Sequence, residues 1–80
     1  MWFNAGKRFF NQGESDGKIV AHQESAMLLT DTTSVVNQAA QAADSIATSL
    51  SKGQKAAYIR GYVAGYEHTQ HTIWRQKHSA

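Results

Sequence analysis

The sequence predicts a small all-α domain of three helices, and three observations favour this fold class. Apolar residues recur at steps of three and four over most of the chain, as they do on the buried face of a helix. None of the 80 residues is proline, the strongest helix breaker. Four of the six glycines form two pairs with a four-residue spacing, and each pair follows an aromatic residue by three positions. We expect one domain, with helices at about residues 3–28, 33–51 and 54–76.

The first predicted helix has one apolar and one polar face. Most of its apolar residues and its glycines fall within about 120° of arc on a helical wheel. Phe9, Phe10, Gly13 and Gly17 lie on this face, whereas Ile19 lies outside it. So clean a division is typical of a helix.

A β-hairpin at residues 7–22, within an α+β fold, is the alternative for this segment. Asp16-Gly17 before Lys18-Ile19-Val20 is a hairpin signal, and each glycine weakens a helix by about 1 kcal/mol. However, Phe9-Phe10 and Ile19-Val20 are adjacent apolar pairs, so each strand would carry apolar groups on both faces. The pattern therefore favours the helix.

The second predicted helix follows a run of short, oxygen-bearing side chains at residues 30–34, which is typical of a helix N-cap. Its apolar residues repeat at alternating steps of three and four, as in the narrow seam of a coiled coil. The predicted seam consists of Val36, Ala39, Ala43, Ile46 and Leu50. We expect the helix to end at Lys52-Gly53, a basic last turn followed by a glycine suited to a left-handed C-cap.

The third predicted helix contains the stretch around which the chain is organised. One strip of its surface carries the small residues Ala57, Gly61, Ala64 and Gly65, and a ridge beside the strip carries Tyr58, Tyr62 and Tyr66. Each glycine inside a helix costs about 1 kcal/mol relative to alanine. The pair therefore predicts that another backbone approaches closely at this strip.

An offset of 48 residues relates the first and third predicted helices. It aligns Lys7, Phe10, Gly13 and Gly17 with Lys55, Tyr58, Gly61 and Gly65. Two glycine grooves lined by aromatic side chains can dock into one another, either within one chain or across the two-fold axis of a homodimer.

Composition excludes several classes of protein. The chain has no cysteine for disulfides or thiolate metal sites, and its net charge of +2 does not by itself indicate a polyanionic partner. The longest apolar runs are about four residues, too short to span a membrane, and no signal peptide precedes them. We expect a soluble, cytoplasmic protein that does not act at a membrane. A chain this short has little stability to spare, so a partner or a second copy is expected.

Motifs for chemistry are absent or weak. We find no nucleophile motif, phosphate-binding loop or suitably spaced carboxylate pair, so we expect neither enzyme activity nor a cofactor. His68, His71 and His78 have spacings at which helical side chains can share a metal ion. They are weak candidates, because no fourth ligand can be identified.

Protein–protein interaction is the favoured function, since aromatic and arginine side chains dominate interface energetics. The predicted interface consists of Phe9, Phe10, Gly13, Gly17, Tyr58, Arg60, Gly61, Tyr62, Gly65, Tyr66 and Trp74. The alternative is nucleic-acid binding, in which basic side chains hold phosphates while the tyrosines stack on bases. Its candidates are Lys52, Lys55, Arg60, Arg75 and Lys77, which are scattered around the helix instead of forming one stripe.

The general character of the chain resembles the small accessory proteins of tailed phages that bind and divert a host factor. The shared features are a short length, the lack of cysteine and proline, and helices of the form aromatic-xx-Gly-xxx-Gly. The resemblance implies a non-enzymatic protein that binds and inhibits a host protein. It assigns no role to any particular residue.

Overall fold

A computed structural model describes residues 5–23, 32–46 and 50–78. These residues form helices α1 (Ala5–Gln23), α2 (Thr32–Ile46) and α3 (Lys52–His78), and no strand occurs among them. The predicted all-α class is confirmed. The alternative hairpin at residues 7–22 is wrong, because all of these residues lie in α1.

Helices α1 and α3 touch through their backbones at four glycines. A Cβ atom at Gly13 or Gly17 would overlap the carbonyl oxygen of Tyr58 or Tyr62, respectively. On the other helix, a Cβ at Gly61 would overlap the carbonyl oxygen of Phe10, and one at Gly65 would overlap that of Glu14. In each case the Cβ would lie less than 3.0 Å from the carbonyl oxygen, a distance that real Cβ atoms essentially never show. Only glycine therefore fits at these positions without a shift of the backbone.

The order of these contacts gives the direction of the helices. Gly13 lies against Tyr58 and Gly17 against Tyr62, so α1 and α3 run parallel. The contacts are also reciprocal at the 48-residue offset, since Gly61 meets Phe10 as Gly13 meets Tyr58. The two helices are therefore related by an approximate two-fold axis within a single chain.

Helix α2 covers the tyrosine ridge of α3. Tyr58, Tyr62 and Tyr66 are at most 2% exposed and form one apolar cluster with Val35, Ala39, Ala43 and Ala21, each of which is fully buried. Valine and alanine at four-residue steps on α2 thus match tyrosines at four-residue steps on α3. Rows of side chains with the same spacing interdigitate readily.

The coiled-coil seam predicted for α2 is wrong in part. Ala39 and Ala43 are buried as expected, but Val36 is 37% exposed and Ile46 is 45% exposed, and Val35 takes the core position instead. The reason is the regular four-residue step of the tyrosines, which selects the row of side chains four apart and leaves Val36 and Ile46 outside this row.

The connection between α2 and α3 ends in a capping box. The Gln54 backbone N–H donates to Ser51 Oγ at 3.2 Å, and the Ser51 N–H donates to Gln54 Oε1 at 3.0 Å. These reciprocal bonds satisfy N–H groups that a helix start leaves free, so α3 begins at Lys52. The predicted C-cap at Lys52-Gly53 is therefore wrong, and so is the extension of the second helix to residues 50–51.

An ion pair joins the end of α2 to the start of α3. Lys55 Nζ, near the start of α3, lies 2.8 Å from Asp44 Oδ1, near the end of α2. The side chains are 38% and 68% exposed, so the pair contributes at most about 1 kcal/mol. Helix α3 is thus central and packs on both other helices, while α1 and α2 have little direct contact with each other.

We predict that Gly61→Ala destabilises the fold by about 3 kcal/mol or more, because the added methyl group would overlap the Phe10 carbonyl. In a domain of this size, the melting temperature should fall by on the order of 10 °C or more. Gly53→Ala is the control, since its methyl group would meet no described atom within 4 Å beyond its own helical turn, and alanine favours the helix. Equal melting temperatures for the two variants would contradict the backbone contact.

Candidate functional site

Most residues of the predicted interface lie in the interior of the chain. The tyrosines Tyr58, Tyr62 and Tyr66 are buried, as are the glycines Gly13, Gly17, Gly61 and Gly65. Phe9, Phe10 and Trp74 are half-buried, and Arg60 is exposed. The buried residues hold α1, α2 and α3 together.

An apolar cleft opens where α1 and α2 diverge on the surface of α3. We call it the α1–α2 cleft, and its volume is about 340 Å³. Its lining consists of Asp16, Ile19, Val20, Ala42, Ser45, Ile46, Tyr58 and Tyr62. The cleft exists because both outer helices pack on α3 but hardly on each other, which leaves a gap above the tyrosine ridge.

The walls of the cleft expose two large aliphatic side chains. Ile19 on α1 is 52% exposed and Ile46 on α2 is 45% exposed. An exposed isoleucine forgoes part of the roughly 1.5–3 kcal/mol that its burial can contribute. The apolar pattern of the second helix predicted that Ile46 lies in the core, so the cleft was not predicted from the sequence. The position of Ile19 outside the apolar face of α1 was a signal for an exposed apolar site.

The base of the cleft carries a polar pair. The Tyr58 hydroxyl donates to Asp16 Oδ2 at 2.6 Å, and Gln12 Nε2 donates to Asp16 Oδ1 at 3.0 Å. Burial raises the pKa of Tyr58 well above its usual value, and the hydrogen bond to the Asp16 carboxylate raises it further. Tyr58 is therefore a neutral donor that holds the carboxylate in a fixed position in the lining of the cleft.

The basic candidates for nucleic-acid binding all lie on α3. Lys52, Arg60 and Arg75 are exposed, but Lys55 is paired with Asp44. The three tyrosines that were expected to stack on bases are buried. The side chain of Lys77 lies outside the described residues.

Two of the three candidate histidines, His68 and His71, have described side chains on α3. His68 and His71 are exposed, and the His71 ring stacks on Trp74 with centroids 6.4 Å apart and planes at 19°. Across residues 5–23, 32–46 and 50–78, no group of three or more His, Cys, Asp or Glu side chains could hold a metal ion. The His78 side chain is not among those described.

Wider comparisons add no relative. Neither the models of protein families, nor the curated proteins, nor the solved structures contain a match to this chain. Within the described ranges, none of the helices combines the length and the apolar character that crossing a membrane requires.

We predict that Tyr58→Phe lowers the free energy of unfolding at neutral pH by about 1.5–3 kcal/mol, because a hydrogen bond to a charged acceptor is lost. The contribution of Tyr58 is fully present below about pH 10, the ordinary pKa of tyrosine. It should be lost as the pH rises further, because the unfolded state ionises before the folded state does.

Urea unfolding of both proteins from about pH 7 to pH 11 measures this effect, since titrations that the two proteins share cancel in the difference. The stability difference should shrink above about pH 10. A difference that stays constant over the whole range would show that the Tyr58 hydroxyl does not carry the pH dependence.

Proposed function

We propose that this chain is a non-enzymatic, cytoplasmic protein-binding module that holds an apolar segment of a partner protein in the α1–α2 cleft. The observation that supports this proposal is the pair of exposed isoleucines, Ile19 and Ile46, on the two walls of one cleft. Solvent-exposed aliphatic groups gathered at a concave site are typical of binding surfaces.

The dimensions of the cleft support a segment of a protein as its occupant. A volume of about 340 Å³ accommodates one or two large side chains, which is how the central residues of an interface are held. The exposed rims on α1 and α2 would then contact the rest of the segment. The proposed outcome of binding is inhibition of the partner, as in the phage accessory proteins that the chain resembles.

The chemistry of the lining argues against catalysis. Of the eight lining residues, Asp16 alone carries a charge at neutral pH, and the Tyr58 hydroxyl is already donated to it. Of the two remaining hydroxyls, on Ser45 and Tyr62, that of Ser45 donates to the Gln41 carbonyl of its own helix at 3.1 Å. A lining that is mostly apolar and holds one carboxylate supports binding as the function.

Ile46→Asn tests the proposal. The side chain is 45% exposed, so the variant should fold, yet it should bind a partner about tenfold more weakly because an apolar wall of the cleft is lost. Val36→Asn is the matched control, since Val36 is an exposed aliphatic residue of α2 outside the cleft lining.

Proteins captured from lysate by the wild type are identified by mass spectrometry, purified and titrated against all three forms. A partner that loses affinity for Ile46→Asn, but not for Val36→Asn, supports the proposal. Equal affinities for the three forms would show that the cleft is not the binding site. The same titrations, with the partner's activity followed, show whether binding inhibits it.

A further inference from the structure

The cleft combines apolar walls with a single unneutralised charge. Asp16 is the one charged side chain among its described lining residues, and none of them is basic. Lys55, one turn before Tyr58 on α3, is already paired with Asp44 at 2.8 Å. A partner that fills the cleft thus meets an aspartate whose charge nothing else in the lining balances.

The carboxylate of Asp16 has acceptor capacity left over. An ionised carboxylate offers about four acceptor positions. Tyr58 and Gln12 each occupy one of them, on different oxygens. These two bonds also hold the carboxylate in place. Binding of a further donor would therefore not incur the entropic cost of ordering the Asp16 side chain.

An occupant without a cation would be penalised. Apolar groups that filled the cleft would remove water from Asp16, and burying a charge without a partner is costly. An acidic occupant would in addition be repelled. A lysine or arginine would avoid both penalties, because its aliphatic stem can lie along Ile19, Val20 and Ile46 while its charged end reaches the carboxylate.

Building on the proposed protein-binding function, we infer that the α1–α2 cleft selects a partner segment that presents a lysine or arginine among apolar side chains, with the cation on Asp16. The apolar walls supply affinity, and the carboxylate supplies specificity. Acidic and purely apolar segments bind more weakly.

Three small amphiphiles test this selectivity without knowledge of the partner. Phenethylamine, phenethyl alcohol and hydrocinnamate share an aromatic body and differ in bearing a cation, a neutral hydroxyl and an anion. Methyl NMR shifts of Ile19, Val20, Ala42 and Ile46 report binding in the cleft. The amine should bind roughly threefold to tenfold more tightly than the alcohol, and the anion most weakly.

Asp16→Asn should remove the preference for the amine, because asparagine keeps the shape and an acceptor for Tyr58 but loses the charge. Raising the salt concentration should weaken the preference in the wild type, which gives a second test that needs no variant. Ile46→Asn should weaken binding of all three probes.

The outcomes separate this inference from the function on which it rests. Equal binding of the three probes at the cleft methyl groups would overturn the basic-segment inference and leave the protein-binding proposal standing. If no probe shifts these methyl groups, the cleft does not take apolar groups and both proposals fail. The wild type could have the mass of a dimer in solution and Ile46→Asn that of a monomer. This result would show that a second copy of the chain occupies the cleft, and it would overturn the proposal of a separate partner protein.

Discussion

The direct contact between the backbones of α1 and α3 is the constraint on which the rest of the structure depends. The carbonyl oxygens of Phe10 and Tyr58 occupy space where any side chain at Gly61 or Gly13 would lie. Helices this close exclude bulky groups from the line of contact, and Cα–H···O contacts can add modest stability there. The tyrosines of α3 consequently lie beside the contact and not within it.

This arrangement determines where the second helix can pack. With one side of α3 occupied by α1, the tyrosine ridge offers the next large apolar surface, and the row of Val35, Ala39 and Ala43 on α2 covers it. Both outer helices thus depend on α3 and contact each other little. The cleft between them follows from the fold itself, and Tyr58 and Tyr62 form its base.

Tyr58 connects the core with the candidate site. Its ring packs in the apolar cluster, while its hydroxyl orients the Asp16 carboxylate at the cleft. Because burial and the neighbouring carboxylate both raise the pKa of Tyr58, the phenol remains neutral and keeps its proton for this hydrogen bond. Tyr58 therefore both stabilises the core and positions Asp16, the only charged residue in the described lining.

The sequence by itself determined the helical class and the need for a second backbone to lie close to the two glycine pairs, because these depend on periodicity and on the volume of single residues. It also contained the capping signal at Ser51 and Gln54, although a competing C-cap signal at Lys52-Gly53 led to the wrong boundary. Only the tertiary structure decided that Val35 is buried while Val36 and Ile46 are exposed, and that the three tyrosines are buried in the core. A helical wheel relates residues by angle but does not say which helix covers which side; the fit between the tyrosine row and the small residues of α2 settled that choice.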